Sequence, residues 1–121
     1  MILRLKKSND KSDFQLMEAI KPNGKRIMTI SIQPMEDNSA IITFFQIEKM
    51  KYLGKGYEEE FIDMIIPLLR AEGIKKLYLY TNIDFETTDE KIIDPAYMNI
   101  VLSQIGFMDC KDSSYKCLNI K

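Results

Sequence analysis

Apolar and polar positions alternate through the first part of the chain, then switch to helical spacing. Ile2, Leu3 and Leu5 predict a short first strand, ended by the polar run at 8–12. Residues 14–20 alternate imperfectly, at Phe14, Leu16, Glu18 and Ile20. A short helix capped by Asp13 is one reading, but seven residues is marginal for a helix. Pro22-Asn23-Gly24 supplies turn chemistry, and 26–32 is β-branched and alternating, so 14–20 and 26–32 read as a hairpin. A second turn is predicted over 34–39. Residues 40–47 are more continuously apolar, as in a strand buried on both faces.

The spacing then predicts a helix over 57–72, with Phe61, Ile62, Ile65, Leu68 and Leu69 on one broad face and Gly73 as its stop. Pro67 removes the hydrogen bond to the Asp63 carbonyl, at about 3 kcal/mol unless the helix bends, so a kink is expected there. Residues 75–81 read as a strand and 82–94 as a long acidic loop. A second helix starts at Pro95 or Ala96, with Tyr97, Ile100, Val101 and Ile105 inward and Gly106 near its end. Residues 107–120 read as a final hairpin. No repeat or low-complexity linker interrupts the order, which is that of an α+β or mixed α/β layer structure.

Composition narrows the chemistry. Of 121 residues, 45% are hydrophobic and 29% charged, the profile of one soluble globular domain over 1–121. The 17 Lys and Arg nearly balance 18 Asp and Glu, which gives no clear nucleic-acid signal and no membrane affinity. The N-terminal residues lack a signal-peptide layout, and the expected location is cytoplasmic. Histidine is absent, which excludes Ser/His and Cys/His nucleophile systems and the usual zinc sites; no metal site is expected. A turn centred on Ser113-Ser114 makes Cys110 and Cys117 cross-strand neighbours. A disulfide is conceivable there, but in the cytosol two reduced, buried thiols are expected. The acidic loop, with Asp84, Glu86, Asp89, Glu90 and Asp94, lacks the glycine and spacing of a calcium loop and reads as solvated, though long enough to serve as a contact surface.

The stretch 51–58, Lys-Tyr-Leu-Gly-Lys-Gly-Tyr-Glu, stands between a strand and the strongest helix. The first N–H groups of a helix have no internal partner, and its dipole adds positive charge there. Two glycines let backbone approach a phosphate closely, so strand, Gly-x-Gly turn and helix together make an anion site. Met50, Tyr52 and Tyr57 around the turn either pack it on the core or form an exposed patch for a partner.

With these residues in hand, the span 40–107 resembles the GNAT superfamily of N-acetyltransferases. The matching pieces are the strand at 41–47, Tyr52-Leu-Gly-Lys-Gly-Tyr-Glu58, the amphipathic helix, the strand at 77–82, and a helix ending Gln104-Ile-Gly-Phe107. The resemblance implies a GNAT-like, mostly antiparallel central sheet of about six or seven strands with two main helices, in the order β-β-β-β-α-β-α-β-β. It implies a V-shaped cleft where the strand before the glycine turn splays from the one after Gly73. It also implies acetyl-CoA as cofactor, with Ile47, Leu53, Gly54, Lys55, Gly56, Tyr57 and Glu58 as the binding set.

Departures from the family pattern fall on its working parts. The motif's lead Arg/Gln aligns with Leu53, its key glycine with Gly56, and its closing Gly/Ala with Glu58. Glu58, Glu59 and Glu60 bring three carboxylates to a helix start where a pyrophosphate would bind, offset in part by Lys49, Lys51 and Lys55. The late-helix tyrosine that serves as general acid in many relatives aligns with Leu102; Tyr97 and Tyr115 are substitutes at other positions. The two helices that usually separate strands one and two are reduced to residues 8–13. The expectation is an acetyltransferase-like protein with a degenerate active site, acting as a non-catalytic binding module for another macromolecule, such as a protein. The alternative is a small acetyl-CoA-dependent N-acetyltransferase in which Glu48 activates an amine through water. A homodimer through an exposed first strand is a further expectation.

Overall fold

The computed structural model describes residues 4–9, 15–88 and 93–120. Ile2, Leu3, Asp13, Phe14, Asp89 and Glu90 lie outside the described residues. β1 (Arg4–Asn9) runs antiparallel to β2 (Gln15–Ile20), which runs antiparallel to β3 (Arg26–Met35). The helix alternative over 14–20 therefore gives way to the hairpin. Met17 and Ala19 are buried while Leu16, Glu18 and Ile20 are half-buried, the period-2 signature, and ladders on both sides satisfy the backbone. β3 continues to Met35, so the second turn shrinks to 36–38, with Asp37 and Asn38 at positive φ.

β4 (Ser39–Ile47) pairs antiparallel with β3 and is the central strand. A single 3-10 turn (Met50–Tyr52) and the glycine turn lead into α1 (Tyr57–Ala71), which continues through Pro67. β5 (Lys76–Tyr80) returns parallel to β4, pairing only over Ser39–Ile42. The acidic loop is not structureless. Within it, β6 (Phe85–Thr87) pairs parallel with Phe45–Ile47 of β4. α2 (Pro95–Ile105) starts at Asp94, whose carboxylate accepts the Ala96 N–H at 3.0 Å. β7 (Met108–Asp109) and β8 (Tyr115–Asn119) close the chain, β8 antiparallel to β5. The sheet order is β1-β2-β3-β4-β5-β8-β7, with β6 on β4 and β1 at one edge. The predicted order holds, with β6 as an addition.

One sheet face carries Met17, Ile30, Ile42, Phe45, Ile47 and Leu79, all essentially solvent-free, under Phe61, Ile62, Ile65 and Leu69 of α1. On the other face Glu18, Ser31 and Tyr78 are half-buried, and Phe44 and Tyr80 are exposed. The link between β1 and β2, residues 10–14, lies outside the described residues. In α2 the inward face is Met98, Val101 and Leu102; Ile100, expected inward, is 60% exposed. Cys110 and Cys117, expected as free thiols, form a disulfide with Cα atoms 5.7 Å apart. The register sets Met108 opposite Cys117, so Cys110 reaches it diagonally across the tight turn.

Candidate functional site

The site grows from the end of β4. Past Tyr52 the chain turns through Gly54 (φ 73°) and Gly56 (φ 81°), the latter capping α1. Both angles lie in the left-handed region, where a side chain would add strain. The first bond inside α1 runs from the Glu60 N–H to the Gly56 carbonyl at 3.1 Å. The N–H groups before it belong to the anion-binding end of the helix.

Glu58 turns into that end rather than away from it. The residue is 3% exposed, and its carboxylate faces its own N–H and the N–H of Gly54. Burial pushes the carboxyl pKa up, against the pull of these two N–H groups. One oxygen, Oε1, is buried with no hydrogen-bond partner among the described residues. Tyr97 of α2 reaches the same point. Its hydroxyl stands 3.8 Å from where a Cβ on Gly54 would sit. Burial, then the Glu58 charge, raise the phenol pKa, while the Gly54 N–H opposes them. The space left between Gly54, Glu58, Tyr97 and Gln104 is about 120 Å³. Pockets for drug-sized ligands run to roughly 300–1,000 Å³.

The splay between β4 and β5 is present, and it is occupied. The β4–β5 ladder ends at Ile42 and Leu79. Thr43 lies at a register shift against β3, and beyond it β4 takes β6 as its neighbour. Phe85 and Thr87 are buried there, with the Phe85 and Phe45 rings edge to face at 5.2 Å. The Thr88 N–H donates to the Glu48 carbonyl at 3.2 Å, and the Thr88 hydroxyl donates to the same oxygen.

The remaining candidates divide as follows. Ile47 is fully buried, its side chain in the core and its backbone between Met28 and Thr87. Leu53 is half-buried against the core, and Lys55 is exposed. Tyr52 and Tyr57 are buried with their rings edge to face at 5.9 Å, so they pack the turn on the core, while Met50 is exposed. Glu48 is ion-paired to the Nε of Arg26, whose Nη1 also meets Glu18 at 3.2 Å. The hydrogen bond to Glu48, then the one to Glu18, raise the Arg26 pKa. Leu102 is core. Tyr115 stacks near Tyr78 and Tyr80, at 5.7 and 5.3 Å between ring centres, away from the glycine turn. Sequence reasoning missed Arg26 as the partner of Glu48 and β6 as the occupant of the cleft. The first pairing spans 22 residues and needs the β3–β4 register; the second needs a ladder only three residues long.

Solved structures share the fold. A GNAT-family acetyltransferase from Staphylococcus aureus Mu50 superposes with TM-score 0.69 at 20% identity, over 91% of this chain and 70% of that one. The ribosomal-protein-S18-alanine N-acetyltransferase of Escherichia coli gives 0.67 at 14% identity, over 93% and 72%. This chain has the GNAT fold. PaiA N-acetyltransferase from Thermoplasma acidophilum, a GNAT-fold neighbour solved with coenzyme A, gives 0.59 at 16% identity, over 87% and 59%. No protein-family model matches the sequence, and no curated protein does. No described helix is long and apolar enough to cross a membrane.

Proposed function

We propose that this GNAT-fold chain is a non-catalytic binding module for another macromolecule, its acetyl-CoA site closed by its own groups. The observation that carries the reading is the pairing of β6 with Phe45–Ile47. A cofactor arm entering the β4–β5 splay would have to displace three paired residues and the buried Phe85 ring. Glu58 adds a second obstacle, because a buried carboxylate at the helix start repels an incoming diphosphate. Chemistry is also poorly supplied. Glu48 is held by Arg26, and no phenol stands at Leu102. The half-open sheet face, with Phe44 and Tyr80 exposed, supports a protein partner.

One observation favours the second reading, a small acetyl-CoA-dependent N-acetyltransferase. Gly54 and Gly56 keep the positive φ values of an anion-binding turn. Isothermal titration with acetyl-CoA separates the two: no heat at millimolar ligand fits the binding module, and micromolar affinity fits the enzyme. The double variant Leu53→Arg, Glu58→Gly locates the obstacle. A gain in affinity assigns it to the carboxylate, and unchanged affinity assigns it to β6. The reading includes a cytoplasmic home, where the Cys110–Cys117 bond is the feature to follow. Thiol alkylation in intact cells reports whether it is closed there.

A further inference from the structure

We infer that the pocket between the β2–β3 turn and the glycine turn is a binding site for a compact polyphosphate group. Lys21 and Lys25 from one turn, Lys51 from the 3-10 turn and Lys55 from the glycine turn line it, around Tyr52 and Tyr57. It measures about 250 Å³ and shares no lining residue with the small space beside Glu58. This inference stands whether or not the acetyl-CoA site is closed.

Four lysines line this pocket in a protein whose formal net charge is −1, and among the described residues no carboxylate lines it. Gathering like charges costs free energy that a bound polyanion returns. The scaffold beneath them is fixed. The Lys21 N–H donates to the Lys25 carbonyl and the Gly24 N–H to the Lys21 carbonyl, both at 2.8 Å. The Asn23 side chain accepts the Lys25 N–H at 3.0 Å, which closes the turn and holds both lysines at its base. Tyr52 is buried and braced by Tyr57, and two ammonium groups share its ring: Lys21 Nζ at 5.9 Å and Lys51 Nζ at 5.5 Å from the centre. The three segments thus bring lysines to one pocket although 34 residues separate Lys21 from Lys55.

The size and donor type select the ligand. The volume lies below the roughly 300 Å³ at which drug-sized pockets begin, so it suits phosphate groups rather than a whole nucleotide. Lysine ammonium groups bind phosphate as point charges without demanding planar, bidentate geometry. A chain of two or three phosphates matches four such charges better than one carboxylate does.

The test is titration of the intact protein with inorganic tripolyphosphate, followed by calorimetry and by amide shifts. Binding is expected to shift residues 21–25 and 51–57 and to weaken by roughly tenfold from about 50 to about 200 mM salt. Lys21→Ala with Lys25→Ala is expected to weaken it by about tenfold or more, while Lys75→Ala with Lys111→Ala, the same change of net charge, leaves it within about twofold. Thermal unfolding checks that the variants fold, and Lys25→Gln, at an exposed turn position, serves if the double variant does not. Three results overturn the inference. They are no binding by the parent chain, equal losses in both double variants, or shifts confined to Gly54, Glu58 and Tyr97 with no effect of Lys25→Gln.

Discussion

The two halves of β4 have different neighbours. Ser39–Ile42 pairs with β5, a five-residue strand with an alternating burial pattern. Phe45–Ile47 pairs with β6, a three-residue piece in an acidic stretch. The first half builds the fold shared with the solved acetyltransferases. The second half lies beyond the end of the β4–β5 ladder, and there the chain's own backbone pairs with it. In the proposed reading, the short strand between β5 and α2 takes the edge that a cofactor would use.

Substitutions in the two halves should separate these roles. Replacing the fully buried Leu79 of β5, Leu79→Ala, should cost about 3–4 kcal/mol in denaturant unfolding. Phe85→Ala should cost less, about 2–3 kcal/mol, because a three-residue strand can relax around the loss. Phe85→Ala should also raise acetyl-CoA affinity, read by calorimetry, and Leu79→Ala should not. An equal cost with no gain in affinity would break the contrast. Opening the Cys110–Cys117 bond, which closes a short turn far from β6, should cost roughly 2–3 kcal/mol and leave acetyl-CoA affinity unmoved.

Glu58 gives the next effect in size. Its carboxyl pKa is raised by burial, so folding favours the protonated form. The stability it contributes is whole below the unfolded carboxyl pKa and is lost as pH rises through the folded one. Glu58→Gln should therefore stabilise the protein at neutral pH by about 1 kcal/mol, the order of relieving one buried, unsatisfied group. That gain should shrink as pH falls through the carboxylate range, followed by denaturant midpoints against pH. The smallest effect is on Tyr97. Removing the neighbouring charge should lower its phenol pKa in an ultraviolet titration, and an unchanged titration would mean that Glu58 points elsewhere.

The first half of this contrast was legible in the sequence. Long alternating and helical runs announced β3, β4, α1 and β5, and two glycines before a helix announced the turn. The second half was not. Phe85-Glu86-Thr87 is too short to show a period, and its partner lies about 40 residues away. Three glutamates at a helix start read as charge facing an incoming pyrophosphate; the spacing did not tell that the first of them is buried beside Tyr97 of α2. In α2, Met98, Ile100, Val101, Leu102 and Ile105 surround much of the helix, so spacing alone did not tell which side faces the core. The Cys110–Cys117 bond followed from a register diagonal that the hairpin pattern left open.

Co-crystallisation with millimolar coenzyme A asks whether β6 holds the edge of β4 against a cofactor. The expected result is Phe85–Thr87 still paired with Phe45–Ile47 and no cofactor arm between β4 and β5. A pantetheine chain lying along Phe45–Ile47, with its diphosphate on the N–H groups of Gly54 and Gly56, would contradict it.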